Sequence, residues 1–223
     1  MTTPTVHTAD RIVKPLRIGP RDEGLELTYE QFLQADYERG FKYEIINGRI
    51  DVSPLPGIPH DDLELWLFNL LNAYSAAHSD VANYVTPNAR LFVPRVRKTT
   101  CPEPDIAVFK NYPRHLPRIL REWRMLTPIL AVEVVSASKP EKDLDRNVGL
   151  YRRIPSIAEY WILEPRPDPD KPTLIVYRRR GQRWQKPIVV PYGETYETKL
   201  LPGFKLLVDP DAGVASFQRP KAN

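Results

Sequence analysis

Apolar residues recur along this chain with two periods, and the two separate its elements. Between residues 61 and 78, Leu63, Trp66, Leu67, Leu70, Leu71 and Tyr74 stand three or four apart. That spacing puts them on one face of an α-helix. Residues 41–54, FKYEIINGRIDVSP, alternate instead around Asn47-Gly48. That dipeptide suits a tight turn with both central residues at positive φ, so the stretch predicts a β-hairpin. Just upstream, TYEQFLQ (residues 28–34) sets Thr28 three places before Gln31, a reciprocal capping pair that predicts a short helix.

Further on, the apolar runs become nearly continuous. PDIAVFK (104–110), PILAVEVVS (128–136), AEYWILE (158–164), TLIVYRR (173–179) and RWQKPIVVP (183–191) predict strands, with shorter strand-like runs at NYVTP and ARLFVPRV. Residues 142–153 predict another helix. The basic, proline-broken NYPRHLPRILREWRM (111–125) reads as a loop with one helical turn. Helices, a hairpin and central strands together predict an α/β (α+β) domain on one mixed β-sheet. The expected organisation is a flexible arm over residues 1–24, one domain over 25–210 and a tail over 211–223.

Composition narrows the class without choosing a function. A chain of 223 residues with 42% hydrophobic and 27% charged residues suits one soluble domain with a sizeable core. Cys101 is the single cysteine, which rules out an internal disulfide. No apolar run approaches the roughly 20 residues of a membrane span, and the first residues lack a signal-peptide layout. The expected location is therefore cytoplasmic, with no membrane partner. A net charge of +4 and a pI near 9.1 hint at a polyanionic partner.

Two acids sit where strand propensity would not place them. Asp105 follows Pro104 and opens IAVF, and Glu133 lies inside ILAVEVV. A carboxylate on a strand covered on both faces is costly unless paired, protonated or metal-bound. For either acid alone, an arginine partner or a solvated edge is the simpler explanation. Two of them on neighbouring strands suit a hard cation such as Mg²⁺. Downstream, Asp143, Asn147 and Tyr151 recur at i, i+4 and i+8 and share one helix face. On residue chemistry alone, that face is a solvated polar stripe.

The order KYEIINGRIDVSP, PHDDLELWL, PDIAVF, LAVEVVSAS, KDLDRNVGLYRRIPSIAEYWILEP and PGFKL resembles the Uma-two family of restriction-endonuclease-like proteins. That family, formerly catalogued as a domain of unknown function, is placed in the PD-(D/E)XK nuclease superfamily. The likeness runs over roughly residues 27–208. It implies a restriction-endonuclease-like core, a mixed sheet flanked by helices, and Mg²⁺- or Mn²⁺-dependent hydrolysis of DNA phosphodiester bonds. Asp105 and Glu133 match the family's two strand acids and would hold the metal with the carbonyl of Val134. Glu44 matches the acid of its hairpin, and His60 matches a histidine at the head of the following helix. The family keeps its lysine on the later helix, between an aspartate and a tyrosine that match Asp143 and Tyr151. Here that position is Asn147, which donates hydrogen bonds but carries no charge. Arg146, Lys142 and Lys139 are the candidate substitutes.

Arginines at 114, 118 and 121 follow the Asp105 strand, so Arg114, Arg118 and Arg121 are the expected DNA-facing cations. Each such basic cluster, taken alone, also reads as an ordinary solvated loop. Three functions remain open. They are an active Mg²⁺-dependent endonuclease, a pseudo-nuclease that binds nucleic acid without cutting it because of Asn147, and an interaction protein whose acids pair with arginines. Nucleases of this fold often pair to cut both strands, so a homodimer is expected by analogy.

Overall fold

The computed structural model describes residues 15–212. The expected arm lies outside the described residues as far as residue 14, and the tail lies outside them from residue 213. Packing starts within the first few residues after Pro15. Strand β1 (Arg17–Ile18) pairs in parallel with β2 (Asp36–Tyr37), with helix α1 (Tyr29–Gln34) between them, and Ile18 is fully buried. The capping pair forms as expected: Gln31 donates its amide to Thr28 Oγ1 at 3.2 Å, and Thr28 donates back at 2.8 Å.

Strands β3 (Phe41–Ile46) and β4 (Arg49–Pro54) form the expected hairpin, turning at Asn47 (φ 51°) and Gly48 (φ 76°). Both turn residues lie in the left-handed region, and glycine enters it without strain. The hairpin remains a separate two-stranded sheet. With α1 and Cys101 it buries its own cluster of Ile18, Phe32, Tyr43, Ile45, Ile50 and Val52. Helix α2 (Ile58–Ala77) begins three residues earlier than the apolar spacing suggests, because Pro59 suits the first turn, where its missing N–H is not needed.

The main sheet takes β5 (Tyr84–Thr86), β6 (Ile106–Phe109), β7 (Leu130–Val134), β8 (Glu159–Glu164), β9 (Thr173–Arg180), β10 (Arg183–Trp184) and β11 (Ile188–Val190). The order is β10-β9-β8-β7-β6-β5, with β11 also on β9. Only β7 and β8 run parallel; the other pairs in this sheet are antiparallel. Between β7 and β8 come a wide π-helical turn (Lys142–Arg146) and helix α3 (Asn147–Arg152). A last hairpin, β12 (Thr195–Glu197) with β13 (Lys205–Leu207), closes the described chain.

Three sequence expectations change. RWQKPIVVP is not one strand but two, β10 and β11, both paired to β9. Pro187 lies between them and has no N–H to offer the ladder. ARLFVPRV turns Ala89, Leu91 and Val93 inward but is an extended segment rather than a strand. Its bonds at Leu91 and Val93, to the Pro102 and Thr100 carbonyls, close only a short pairing. The loop over 111–125 holds two 3-10 turns, Arg118–Leu120 and Trp123–Met125, rather than one.

Strand alternation decides which face each residue serves. Val132 and Val134 join Ile106 and Val108 against Leu63, Leu67 and Leu71 of α2. Ala131 and Val135 face the other way, toward Tyr151 and Ile154 of the α3 region. Burying a leucine such as Leu67 contributes about 2 kcal/mol. Glu133 lies between Ala131 and Val135, so its carboxylate must enter the α3 side. That helix is fixed from below by Arg179 of β9. Its guanidinium donates to the carbonyls of Tyr151 (3.0 Å), Arg152 (3.0 Å), Ile154 (2.9 Å) and Ile157 (2.5 Å).

A candidate active site at the ends of two central strands

Ile106 pairs with Val132 and Ala107 with Ala131, so one step back along β6 brings Asp105 opposite Glu133. Pro104 has no N–H with which to continue the ladder. The two acids interlock through backbone amides. Asp105 N–H donates to Glu133 Oε2 at 3.3 Å, and Val134 N–H donates to Asp105 Oδ2 at 2.8 Å. In an extended strand the amide and carbonyl of one residue point to the same side, so the Val134 carbonyl also faces Asp105.

Glu133 is 1% exposed, and it is held from α3. Asn147 Nδ2 donates to its Oε1 at 2.8 Å and Tyr151 Oη donates to the same oxygen at 2.6 Å. Asn147 also donates to Asp143 Oδ1 at 3.3 Å. Asp143, Asn147 and Tyr151 therefore share a face as their spacing predicts, but it is not the solvated stripe that residue chemistry alone suggests. All three are buried. Sheet and helix close over them because each polar atom there has a carboxylate or donor to meet.

Asp105 lines a cavity of about 500 Å³. Lys42 of β3 donates to its Oδ1 at 2.6 Å, and His60 Nε2 of α2 lies 3.2 Å from its Oδ2. His60 is mostly buried, not the surface residue that its place at a helix head suggests. Its Nδ1 is buried with no hydrogen-bond partner among the described residues. Glu64, one turn further along α2, brings a carboxylate 3.9 Å from that nitrogen. Donor atoms of His60, Glu64 and Asp105 all lie within 4.8 Å of one another.

Charge is divided unevenly across the site. Burial alone would raise the Asp105 carboxyl, but the His60 hydrogen bond and the charges of Lys42 and His60 hold it well below the usual range. Burial, followed by the Asp143, Asp105 and Glu44 carboxylates, pushes Glu133 well above it, against Lys142. Burial lifts Glu64 to about 7, helped by Asp105. Burial also lifts Asp143 to about 7 despite the neighbouring Lys142. The two acids of the strand pair are thus pushed in opposite directions, as expected where like charges crowd a buried site.

The hairpin acids form a second network beside the first. Glu44, 1% exposed, accepts from the Glu103 amide at 2.8 Å, lies 3.5 Å from Lys142 Nζ and pairs with Arg146. Arg146 also pairs with Asp51 and donates from Nε to Asn147 Oδ1 at 3.1 Å. Lys139 reaches Asp51 Oδ1 and the Val52 carbonyl, each at 2.8 Å. Arg146 and Lys139 are thereby committed to acids of the hairpin.

Of the residues singled out by sequence, the structure gathers Asp105, Glu133, Val134, His60, Asp143, Asn147 and Tyr151, with Glu44 and Arg146 adjoining. It does not gather the arginines. Arg114, Arg118 and Arg121 follow Phe109, at the end of β6 opposite Asp105, where they line a separate cavity of about 360 Å³. Arg114 donates to the Asn83 carbonyl, and Arg121 donates to those of Leu116 and Arg114. Lys42 and Glu64 are additions that the sequence reading missed. Lys42 stands two places from Glu44 on one strand face, and Glu64 stands four places from His60 on one helix face. Those spacings were the available signal.

The comparisons with known proteins agree with this architecture. A solved protein from Anabaena variabilis, described as a "putative nuclease belonging to DUF820", superposes with a TM-score of 0.63 at 18% identity, over 82% of this chain and 95% of that one. No curated protein matches the chain. The Uma2 family, described as "Putative restriction endonuclease", matches residues 29–209. That stretch holds the hairpin, both acid-bearing strands and helix α3, and the chain belongs to the Uma2 family.

Proposed function

We propose that this protein is a divalent-metal-dependent endonuclease that hydrolyses DNA phosphodiester bonds at the Asp105–Glu133 site. The observation that carries this reading is the cross-strand pair of buried carboxylates, of which Asp105 lines a cavity rimmed by cations. Lys42, Lys139, Lys142 and Arg166 line that cavity against Asp105 and Asp143, a balance that favours an anionic backbone. The family description and the fold of the Anabaena protein support the same class of chemistry.

The donor set fits a Mg²⁺ or Mn²⁺ ion. It offers hard carboxylate oxygens at Asp105 and Glu64 and an imidazole at His60 whose Nδ1 has no protein partner among the described residues, with the Glu133 carboxylate adjoining Asp105. Asp105, Glu133 and the Val134 carbonyl would hold the ion, with His60 and Glu64 beside them. Bound there, such a cation polarises the phosphate and lowers the pKa of an attacking water. Asn147 and Tyr151 fix the Glu133 carboxylate, and Asp143 completes that polar face. Glu44 and Arg146 tie the hairpin to the helix.

One observation favours a second reading, a nucleic-acid-binding pseudo-nuclease. Asn147 is fully buried and uncharged where the family has its lysine. Plasmid nicking decides between them. The endonuclease nicks plasmid with Mg²⁺ or Mn²⁺ and loses this in Glu133→Gln and Asp105→Asn. Intact plasmid at high protein with either metal, alongside salt-sensitive DNA binding, establishes the pseudo-nuclease instead.

A further inference from the structure

Asn147 cannot be the point from which charge reaches a substrate. It is fully buried, is not among the residues lining the cavity, and has its amide oriented on Glu133 and Asp143 with its oxygen taken by Arg146. The neighbouring cations are engaged as well. Arg146 holds Glu44 and Asp51, Lys139 holds Asp51 and the Val52 carbonyl, and Lys142 faces Glu44.

Lys42 differs from them. Like Lys139 and Lys142 it lines the cavity, but its hydrogen bond goes to the strand acid itself, at Asp105 Oδ1, the oxygen of that carboxylate not taken by Val134 N–H or His60. We propose that Lys42 is the phosphate-directed cation of this site, replacing from the hairpin the charge that Asn147 does not supply, and that it shares Asp105 with the divalent cation. The inference rests on the nuclease reading above and adds to it a second element, β3, as the source of the positive charge.

The geometry gives the lysine two partners in turn. Without metal, its ammonium neutralises Asp105. A divalent cation held by Asp105 would compete with the ammonium for that carboxylate and leave the lysine free for a non-bridging phosphate oxygen, its natural acceptor. No proton moves; the lysine stays charged, and its contribution is electrostatic.

Calorimetry with Mn²⁺ on the full chain without DNA, combined with nicking assays, tests this in Lys42→Met and Lys42→Arg. Removing the competing ammonium makes Lys42→Met bind Mn²⁺ about tenfold more tightly. Its cleavage at saturating Mn²⁺ falls about 100-fold, as for other lost charge-stabilising groups. Lys42→Arg keeps wild-type Mn²⁺ affinity and most of the cleavage. A purely structural lysine would not tighten metal binding when removed. Unchanged or weaker Mn²⁺ binding in Lys42→Met overturns the sharing of Asp105, and undiminished cleavage overturns the phosphate role. If the wild type does not cut, the nuclease reading and the phosphate role fall together. The calorimetric arm still decides separately whether Lys42 competes for Asp105.

Discussion

Asn147 donates its side-chain amide to the carboxylate of Glu133 across 2.8 Å, from a position with no solvent exposure. Asn147 therefore acts inward, on a buried strand carboxylate, rather than outward into the cavity. Substitutions on either side of that bond separate the support of Glu133 from its chemistry.

Glu133→Gln keeps the shape of the side chain and removes its ability to ionise. Plasmid nicking is expected to fall at least about 100-fold, while the fold survives because Tyr151 and Asn147 still have an oxygen to donate to. Tyr151→Phe removes one donor and costs about 1 kcal/mol in denaturant unfolding. Equal loss of folding in both variants would place Glu133 in the scaffold rather than the chemistry.

Asn147→Lys introduces an ammonium between Glu133 and Asp143, two acids that can pair with it. The substitution is expected to leave wild-type nicking within about threefold and to restore none of the rate lost in Lys42→Met, because the new ammonium stays with those two buried acids. The double variant read against its two singles is the measurement. A rescue of about tenfold or more would show that a charge at 147 does reach the substrate.

How much of this was legible in sequence depends on how far apart the partners are. The hairpin at Asn47-Gly48, helix α2 and the i, i+4, i+8 face of Asp143, Asn147 and Tyr151 follow from local spacing. The adjacency of Asp105 and Glu133 follows from two apolar runs that had to become central strands. For Lys42 and Glu64 local spacing gave only a shared face with Glu44 and His60, not a role. Each occupies a polar position that suits solvent, and only the packing of hairpin and α2 around Asp105 makes either one part of the site. The inward segment 89–96 and the break at Pro187 depended likewise on what pairs with them.

Stability of the metal-free protein is expected to fall as pH rises from 5 to 8. Glu64 and Asp143 titrate at about 7 when folded, against 4.5 and 3.8 as ordinary carboxyls. The folded state therefore keeps protons that the unfolded chain gives up, and stability is lost through that interval. His60, raised by its hydrogen bond to Asp105 against the effect of burial, acts in the same direction. Asp105 acts oppositely, but only below about pH 4. A melting temperature lower at pH 8 than at pH 5 by about 5 °C is the expected reading. It flattens in Glu64→Gln and Asp143→Asn, and a rise with pH would falsify the assignment.

Arg146→Ala strands Glu44, which is buried and left with Lys142 alone among its charged partners. Unfolding in urea is expected to show a loss of about 3 kcal/mol. Glu44→Gln combined with it recovers part of that loss, because the uncompensated charge is then gone. A loss equal to the sum of the two singles would mean that the pair is not coupled.

The arginine loop separates into two kinds of residue. Arg121 binds loop carbonyls and lies over Tyr112 at 5.4 Å, so Arg121→Ala is expected to destabilise the loop before it affects DNA. Arg118 is exposed. Arg118→Ala should lower the salt dependence of DNA binding by about one unit of slope if this end of the sheet contacts phosphate. An unchanged slope would confine DNA to the Asp105 end.

The four carbonyls gathered by Arg179 carry a further consequence. Those of Tyr151 and Arg152 end the six-residue helix and those of Ile154 and Ile157 lie just past it, so the sheet beneath grips the helix by its C-terminal end. The direction in which Asn147 and Tyr151 point is thus set by a side chain on β9, 28 residues along the chain from Tyr151. Aim at the buried carboxylate is calibrated from outside the cavity, by a residue that no substrate would ever meet.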